Sequence, residues 1–225
     1  GRIVSQAVDS GCKSIAYTYT EPTVFFEYAR DIAVNAAEKG LKNIFVTNGY
    51  QTPETIERME GLIDAANVDL KSFSDTFYRK MCGVSLNPVL ESIKRMHRAG
   101  IFLEITTLII PEKNDSPEEL KEIAGFIASV SEQIPWHISR FHPGYKMNGE
   151  NATPEETLYR AVDIGKSAGL KHMYTGNLPG SRYEDTWCPA CGEPVISRRG
   201  FRTEVINLKG DSCGHCGSRL NIVNS

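Results

Sequence analysis

Two rhythms of hydrophobic and polar positions alternate along this chain. Short apolar runs, rich in β-branched and aromatic residues, recur at 13–19, 43–47, 66–70, 101–110, 136–141 and 171–174. Between them lie segments with apolar residues three and four apart, at 22–39, 53–62, 74–81, 88–99, 116–131 and 153–169. In the first of these, Phe25, Tyr28, Ala29, Ile32 and Ala36 share one helical face and Gly40 supplies a stop. Thr52 before Pro53, Ser116 before Pro117 and Thr153 before Pro154 read as capping residues followed by a proline in the first turn. Near-continuous apolar strands alternating with helices predict a parallel sheet covered on both faces. Strand–helix units repeated in one direction predict an α/β fold, a partial or complete β/α (TIM-like) barrel. A doubly wound open sheet has the same rhythm and is the alternative. After Gly180 the rhythm stops, and 181–185 is a polar linker. The expected organisation is a barrel over 1–180 and a small domain over 181–225.

The cysteines sharpen that division. Cys12 and Cys82 stand alone, whereas Cys188, Cys191, Cys213 and Cys216 form two C-x-x-C pairs, each followed by glycine. Four thiolates in two such turns suit the closed tetrahedral sphere of structural zinc, so a zinc-ribbon-like domain is expected. A rubredoxin-type iron site uses the same ligands, and two disulfides are the bland reading. His215 lies inside a knuckle without being needed as a ligand. Arg198, Arg199, Phe201 and Arg202 between the pairs read as a solvated hairpin rather than a nucleic-acid contact. Net charge is −3, which removes a general nucleic-acid footprint. No apolar run is long enough to span a bilayer and no secretory signal opens the chain. Cysteines grouped as metal ligands point to a reducing, cytoplasmic compartment.

In a β/α barrel the chemistry gathers at the C-terminal ends of the strands. Here those ends carry Thr20-Glu21, Thr47-Asn48, Asp69-Leu70-Lys71, Thr106-Thr107, Arg140-Phe141-His142 and Thr175-Gly176-Asn177. A zwitterionic ligand suits this set, with Glu21 taking an ammonium and Lys71 or Arg140 a carboxylate. Each residue also has a structural reading. Glu21 can start a helix, Asp69 and Lys71 can form an ion pair on one strand face, and His142 can be a hydrogen-bonded loop histidine.

The segments 14–23, 45–50, 67–73 and 136–143, together with the paired knuckles, resemble the radical S-adenosylmethionine superfamily. Within it they are similar to the pyruvate formate-lyase activating enzyme-like branch and the AmmeMemoRadiSam subgroup. The resemblance implies reductive cleavage of S-adenosylmethionine to a 5′-deoxyadenosyl radical that abstracts hydrogen from a substrate. It places Thr20, Glu21 and Pro22 where relatives carry a Gly-Gly-Glu motif for the methionine amino group. It also implies that Asn48 lines the cofactor site, Lys71 meets the cofactor carboxylate with Asp69 alongside, and His142 approaches the nucleoside. A protein or small-molecule substrate and an electron donor such as flavodoxin or ferredoxin are implied as partners. Two departures stand out. Val46 occupies a position where some activating enzymes have an aspartate at a monovalent-cation site. The C-x-x-x-C-x-x-C loop that holds the [4Fe–4S] cluster is absent, so the expectation is that it lies upstream of Gly1 and that this chain alone binds the cofactor weakly and is inactive. Two other readings remain: a β/α-barrel lyase with Lys71 as a Schiff-base amine, and a zinc-ribbon binding module on an inactive barrel. Substituting Glu21 or Lys71 is expected to affect the cofactor far more than the fold.

Overall fold

The computed structural model describes residues 1–200 and 202–222. The chain parts into two compact units, 1–106 and 107–225, and the proposed boundary at 180 falls inside the second.

The first unit opens with helix α1 (Arg2–Asp9) and strand β1 (Ser14–Tyr17). A 3-10 turn (Pro22–Phe25) leads into α2 (Phe26–Ala37), followed by β2 (Lys42–Thr47), α3 (Pro53–Met59) and β3 (Ala65–Asp69). A short α4 (Asp75–Phe77) passes into a π-helical turn (Tyr78–Cys82), then come α5 (Asn87–Arg98) and β4 (Phe102–Ile109), which continues into the second unit. That unit holds α6 (Pro117–Val130), β5 (Trp136–Arg140), α7 (Glu155–Ser167) and β6 (Met173–Gly176). Among the described residues the six long strands lie in the order β1-β2-β3-β4-β5-β6, and the pairings that define the register are parallel. A doubly wound sheet reverses its strand order at a switch point. This order never reverses, which selects the partial β/α barrel over the open sheet.

Local chemistry explains the boundaries. Thr52 and Ser116 cap α3 and α6, accepting from the N–H groups of Thr55 and Glu119. Thr153 does not cap α7, because its hydroxyl is buried, donating to the Ile109 carbonyl at 2.6 Å and accepting from the Phe141 N–H at 3.0 Å. The single helix expected over 22–39 divides, because the Glu21 carboxylate holds the first turn in the tighter 3-10 form. Three residues per turn rather than 3.6 rotate the following register. The buried stripe of α2 is therefore Phe26, Ala29, Ala33 and Ala36, and Tyr28 is exposed. The last strand begins two residues later than expected, since Lys171 is engaged with Glu132 and the His172 carbonyl accepts from the Trp136 N–H.

In the first unit Phe45, Met59, Val68, Leu70, Ile93, Met96 and Ile105 are fully buried. Asn43 is buried among them with its amide satisfied: it donates to the Ala33 and Leu62 carbonyls and accepts from the Tyr17 hydroxyl at 2.9 Å. Burial pushes that phenol up to about 12. In the second unit Ile109, Leu120, Ile123, Ile127, Trp136 and Ile138 are fully buried, and the Trp136 indole donates to the Thr107 hydroxyl at 2.9 Å.

The C-terminal segment adds β7 (Thr186–Trp187), β8 (Pro194–Arg199) and β9 (Arg202–Val205) as one antiparallel sheet, and β10 (Leu208–Lys209) with β11 (Ser212–Cys213) as a hairpin. Phe201, part of the basic hairpin noted above, lies outside the described residues.

His172 is buried, and desolvation lowers its pKa from 6.5. The folded state thus favours the neutral ring, a contribution present above the unfolded pKa and lost as pH falls through the folded one. Urea unfolding between neutral pH and about pH 5 should show stability falling with pH, with a shallower slope in His172→Asn.

Candidate active site and metal centre

The parallel register of β1, β2 and β3 brings their C-terminal ends to one side of the first unit. Tyr19, just beyond β1, has φ 41° and is fully exposed, and Thr20 is exposed beside it. This left-handed step turns the chain so that the Glu21 carboxylate reaches β2. Its Oε1 accepts from the Thr23 N–H at 3.2 Å, the Thr23 hydroxyl at 2.7 Å and the Thr47 hydroxyl at 2.6 Å. Among the described residues its Oε2 accepts only from the Asn48 N–H, at 2.7 Å. An ionised carboxylate has about four acceptor positions, two on each oxygen. Oε1 is saturated and Oε2 keeps room for one further donor, which suits an ammonium.

Asn48 is exposed, and its side-chain oxygen accepts from the Tyr50 N–H at 2.9 Å. Gly49 follows at φ 72°, where an added Cβ would stand 2.7 Å from Val68 Cγ1. Only glycine permits the turn to lie this close to β3. Gln51 is buried, its amide donating to the Thr23 hydroxyl at 3.3 Å and its Oε1 without a protein donor.

Asp69 and Lys71 form the ion pair that their spacing allows, at 2.8 Å, with both side chains about two-fifths exposed. The Lys71 N–H donates to the Tyr78 hydroxyl, which arrives from the π-helical turn. Desolvation raises both the Tyr78 phenol and the Cys82 thiol, the latter opposed by the Lys71 charge. In the second unit Arg140 donates from Nε to the Thr153 carbonyl at 2.8 Å and lies 3.9 Å from Glu155. His142 is exposed, with a ring nitrogen 3.2 Å from the Asn177 carbonyl. The Asn177 amide in turn donates to the Arg140 carbonyl.

The structure thus groups Glu21 with Asn48, Asp69 with Lys71, and Arg140 with His142. Thr47, noted at its strand end, proves to fix Glu21, and the residues that sequence reasoning overlooked are Thr23, which fixes the same carboxylate, and Tyr78, which fixes the Lys71 backbone. A threonine two residues after a capping glutamate was a readable signal for Thr23. Nothing in the sequence announced Tyr78.

The four C-terminal cysteines form a preformed metal centre. Their sulfurs all lie within 4.8 Å of one another, with Cys188–Cys216 at 3.7 Å and Cys191–Cys213 at 3.8 Å. A metal–sulfur bond of about 2.3 Å in a tetrahedron gives an edge of about 3.8 Å. That spacing suits a single ion held by all four sulfurs. The two turns match. The Gly192 N–H donates to the Cys188 carbonyl and the Gly217 N–H to the Cys213 carbonyl, both at 2.8 Å, with φ 76° at each glycine. Hydrogen bonding by Ser218 pulls the Cys216 thiol down to about 6. A backbone hydrogen bond at Glu193 lowers Cys191, but desolvation and the other three thiols outweigh it and push Cys191 up to about 12. His215 is exposed and outside the ligand set. Cys12 and Cys82 join no third ligand among the described residues, so the three thiolates a [4Fe–4S] cluster needs are not provided here.

The protein-family model of the Radical SAM superfamily matches residues 1–127, the stretch that carries Glu21, Asn48, Asp69 and Lys71. An uncharacterised protein of Methanocaldococcus jannaschii is 42% identical over 224 residues, covering 98% of this chain and 66% of that protein. The benzylsuccinate synthase activating enzyme of Thauera aromatica is 23% identical over 165 residues, covering 67% of this chain and 50% of that enzyme. A domain of pyruvate-formate lyase-activating enzyme from Bacteroides vulgatus shares the fold, with a TM-score of 0.63 at 22% identity over 73% of this chain and 99% of that domain. The chain belongs to the radical SAM superfamily. It spans 66% and 50% of the length of the two curated relatives. No helix among the described residues is long and apolar enough to cross a membrane.

Two outcomes follow from this geometry. Glu21→Ala removes the acceptor of four hydrogen bonds, so it should lower stability by about 1–3 kcal/mol, read by denaturant unfolding. This departs from the expectation that substituting Glu21 affects the cofactor far more than the fold. Elemental analysis should find about one metal ion per chain, lost in Cys188→Ser with Cys213→Ser.

Proposed function

We propose that this chain is part of a radical S-adenosylmethionine enzyme of the activating-enzyme type, and that the first unit holds the methionine end of the cofactor. The observation that carries this reading is the Glu21 carboxylate: it is fixed by Thr23, Thr47 and Asn48 and retains one open acceptor position at a strand end. A cofactor ammonium fits that position. In this reading Thr20 and Asn48 line the site, and Lys71 donates to the cofactor carboxylate while Asp69 aims its amine. For Arg140 and His142, which belong to the second unit, the resemblance alone supports a part in cofactor binding, His142 at the nucleoside. Bound S-adenosylmethionine supplies, on reductive cleavage, the 5′-deoxyadenosyl radical that takes hydrogen from the substrate. The cysteines of this chain do not fit the [4Fe–4S] cluster of the superfamily, so none of its residues is assigned a part in the electron transfer. In the whole protein the electron would come from a donor such as flavodoxin or ferredoxin. Between a protein and a small-molecule substrate, kinship with enzymes named for activating other enzymes favours a protein.

We assign zinc to the four-thiolate centre. A closed sphere without an open position serves structure, and elemental analysis distinguishes zinc from iron there. The lyase reading fares worse. A Schiff-base lysine works as a desolvated amine or beside another cation, whereas Lys71 is half-exposed and bonded to a carboxylate. The reading as a nucleic-acid module also weakens, because Arg198 is tied to the Glu184 carbonyl and the Thr186 hydroxyl, and Arg199 to Asp185.

Lys71→Ala is the cleaner test than Glu21, since it leaves a half-exposed Asp69 at little cost. Calorimetric titration with S-adenosylmethionine should show about tenfold or greater weakening in Lys71→Ala, with an unchanged melting temperature. In the whole protein the same change should abolish 5′-deoxyadenosine formation. Normal cofactor binding by this variant overturns the assigned role.

A further inference from the structure

A cavity of about 440 Å³ lies in the second unit, beside the C-terminal turn of α7 and the first knuckle. Lys166, Lys171 and Arg182 stand around it, with the rings of Tyr174, Tyr183 and Trp187. Its volume is in the range of small-molecule sites.

The decisive detail is the Tyr183 hydroxyl. Lys166 Nζ lies 3.1 Å from it and Arg182 Nη2 lies 2.9 Å from it. Both cations are also 4.7 Å from the centre of the same ring. Ammonium and guanidinium groups only donate, so the phenol oxygen receives both bonds. Its own proton then needs an acceptor, and no described residue supplies one. Tyr183 is 9% exposed, so this donor is held inside the wall. Two positive charges thus meet at one phenol oxygen, whose own proton has no acceptor among the described residues. Neither Lys166 nor Arg182 has a carboxylate within ion-pair distance among the described residues. Asp185 also lines the cavity, but it is committed to the Arg198 N–H at 2.7 Å and the Arg199 guanidinium at 3.1 Å. Lys171 is partly neutralised by Glu132 at 3.3 Å. His172, also in the wall, is held towards its neutral form by burial.

Stacking of the two cations on the ring accounts for their approach but not for the unpaired proton, nor for like charges brought together. An oxyanion resolves both. A phosphate monoester carries about two negative charges near neutral pH and three acceptor oxygens, matching two unpaired cations and one hydroxyl. The remaining volume, bordered by the partly exposed Trp187 indole, leaves room for a planar body. We propose that this cavity binds a small phosphate monoester. Lys166, Arg182 and the Tyr183 hydroxyl hold the phosphate, and the Trp187 indole flanks the organic group. The site involves none of the residues assigned to S-adenosylmethionine and stands independently of that assignment.

The test uses metal-loaded chain and three probes: phenyl phosphate, inorganic phosphate and benzoate. Titration calorimetry, with Trp187 fluorescence as a second readout, should show saturable binding in the order phenyl phosphate, inorganic phosphate, benzoate at matched ionic strength. Lys166→Gln with Arg182→Gln should weaken phenyl phosphate by about tenfold or more. Both residues are exposed, so metal content and melting should be retained. Tyr183→Phe keeps the ring and removes only the donor. It should weaken the phosphate probes and leave benzoate less affected, and it decides the matter should the double variant fail to fold. Absence of saturable binding overturns the proposal, as does undiminished binding in the variants. Benzoate binding more tightly than phenyl phosphate overturns the assignment to phosphate.

Discussion

The arrangement of the first unit's strand ends depends on one carboxylate. Glu21 sits where a strand gives way to a helix, and its four donors come from its own turn and from the end of the next strand. Taking a carboxylate partly out of water is costly unless its acceptor positions are filled. Here the filling groups are the ones that set the geometry. Thr23 closes the 3-10 turn, Thr47 ends β2, and the Asn48 N–H begins a turn that only Gly49 can complete against Val68. The backbone strain at Tyr19 is held in place by the same bonds. A single acidic side chain therefore fixes two loops and still presents an open oxygen.

The metal centre works by the opposite logic. The C-terminal segment owns little apolar mass: Cys188, Val195, Cys213 and Leu220 make up the buried part of its own cluster. So small a core cannot by itself offset the entropy of ordering the surrounding loops. Four sulfurs drawn to tetrahedral separation, two of them within that core, make metal binding and folding one event. An ion held by all four thiolates would have no open position, and it would act through the loops it holds rather than through chemistry at the metal.

Much of this was legible in the sequence, for identifiable reasons. The six strands and their order follow from apolar runs separated by capped helices, and Thr52-Pro53 and Ser116-Pro117 mark their helices correctly because those hydroxyls are free to cap. Thr153-Pro154 also marks the start of its helix, but without a side-chain cap, because the Thr153 hydroxyl is claimed by distant backbone, the Ile109 carbonyl and the Phe141 N–H. The shift of the buried face on α2 was hidden because one tight turn changes the helical register without changing composition. The cysteine pairs were the clearest signal, since spacing alone nearly fixes their geometry. Asp69 and Lys71 were recognised as candidates, but sequence could not decide that they pair with each other. The cavity at Tyr183 was invisible, because Lys166, Lys171 and Arg182 come from three separate segments.

That last case bears on how the knuckle and the cavity depend on each other. Cys188, Pro189 and Gly192 belong to the cavity wall, and Tyr183 and Trp187 are a few residues upstream. The Trp187 indole donates to the Arg182 carbonyl at 2.9 Å, fixing the guanidinium's own backbone, and the Cys188 N–H, adjoining Trp187, is bonded to the Glu193 carbonyl at 2.8 Å. A metal bound by the cysteines would hold the turn next to Trp187, and Trp187 holds the backbone of Arg182. Lys166 approaches from α7, whose last turn favours a cation through the helix dipole. Two cations that repel each other are kept adjacent by restraints outside the pair: the metal turn on one side and the helix terminus on the other. Such preorganisation lowers the cost of binding an anion, because the unfavourable approach of the two cations is already complete before the ligand arrives.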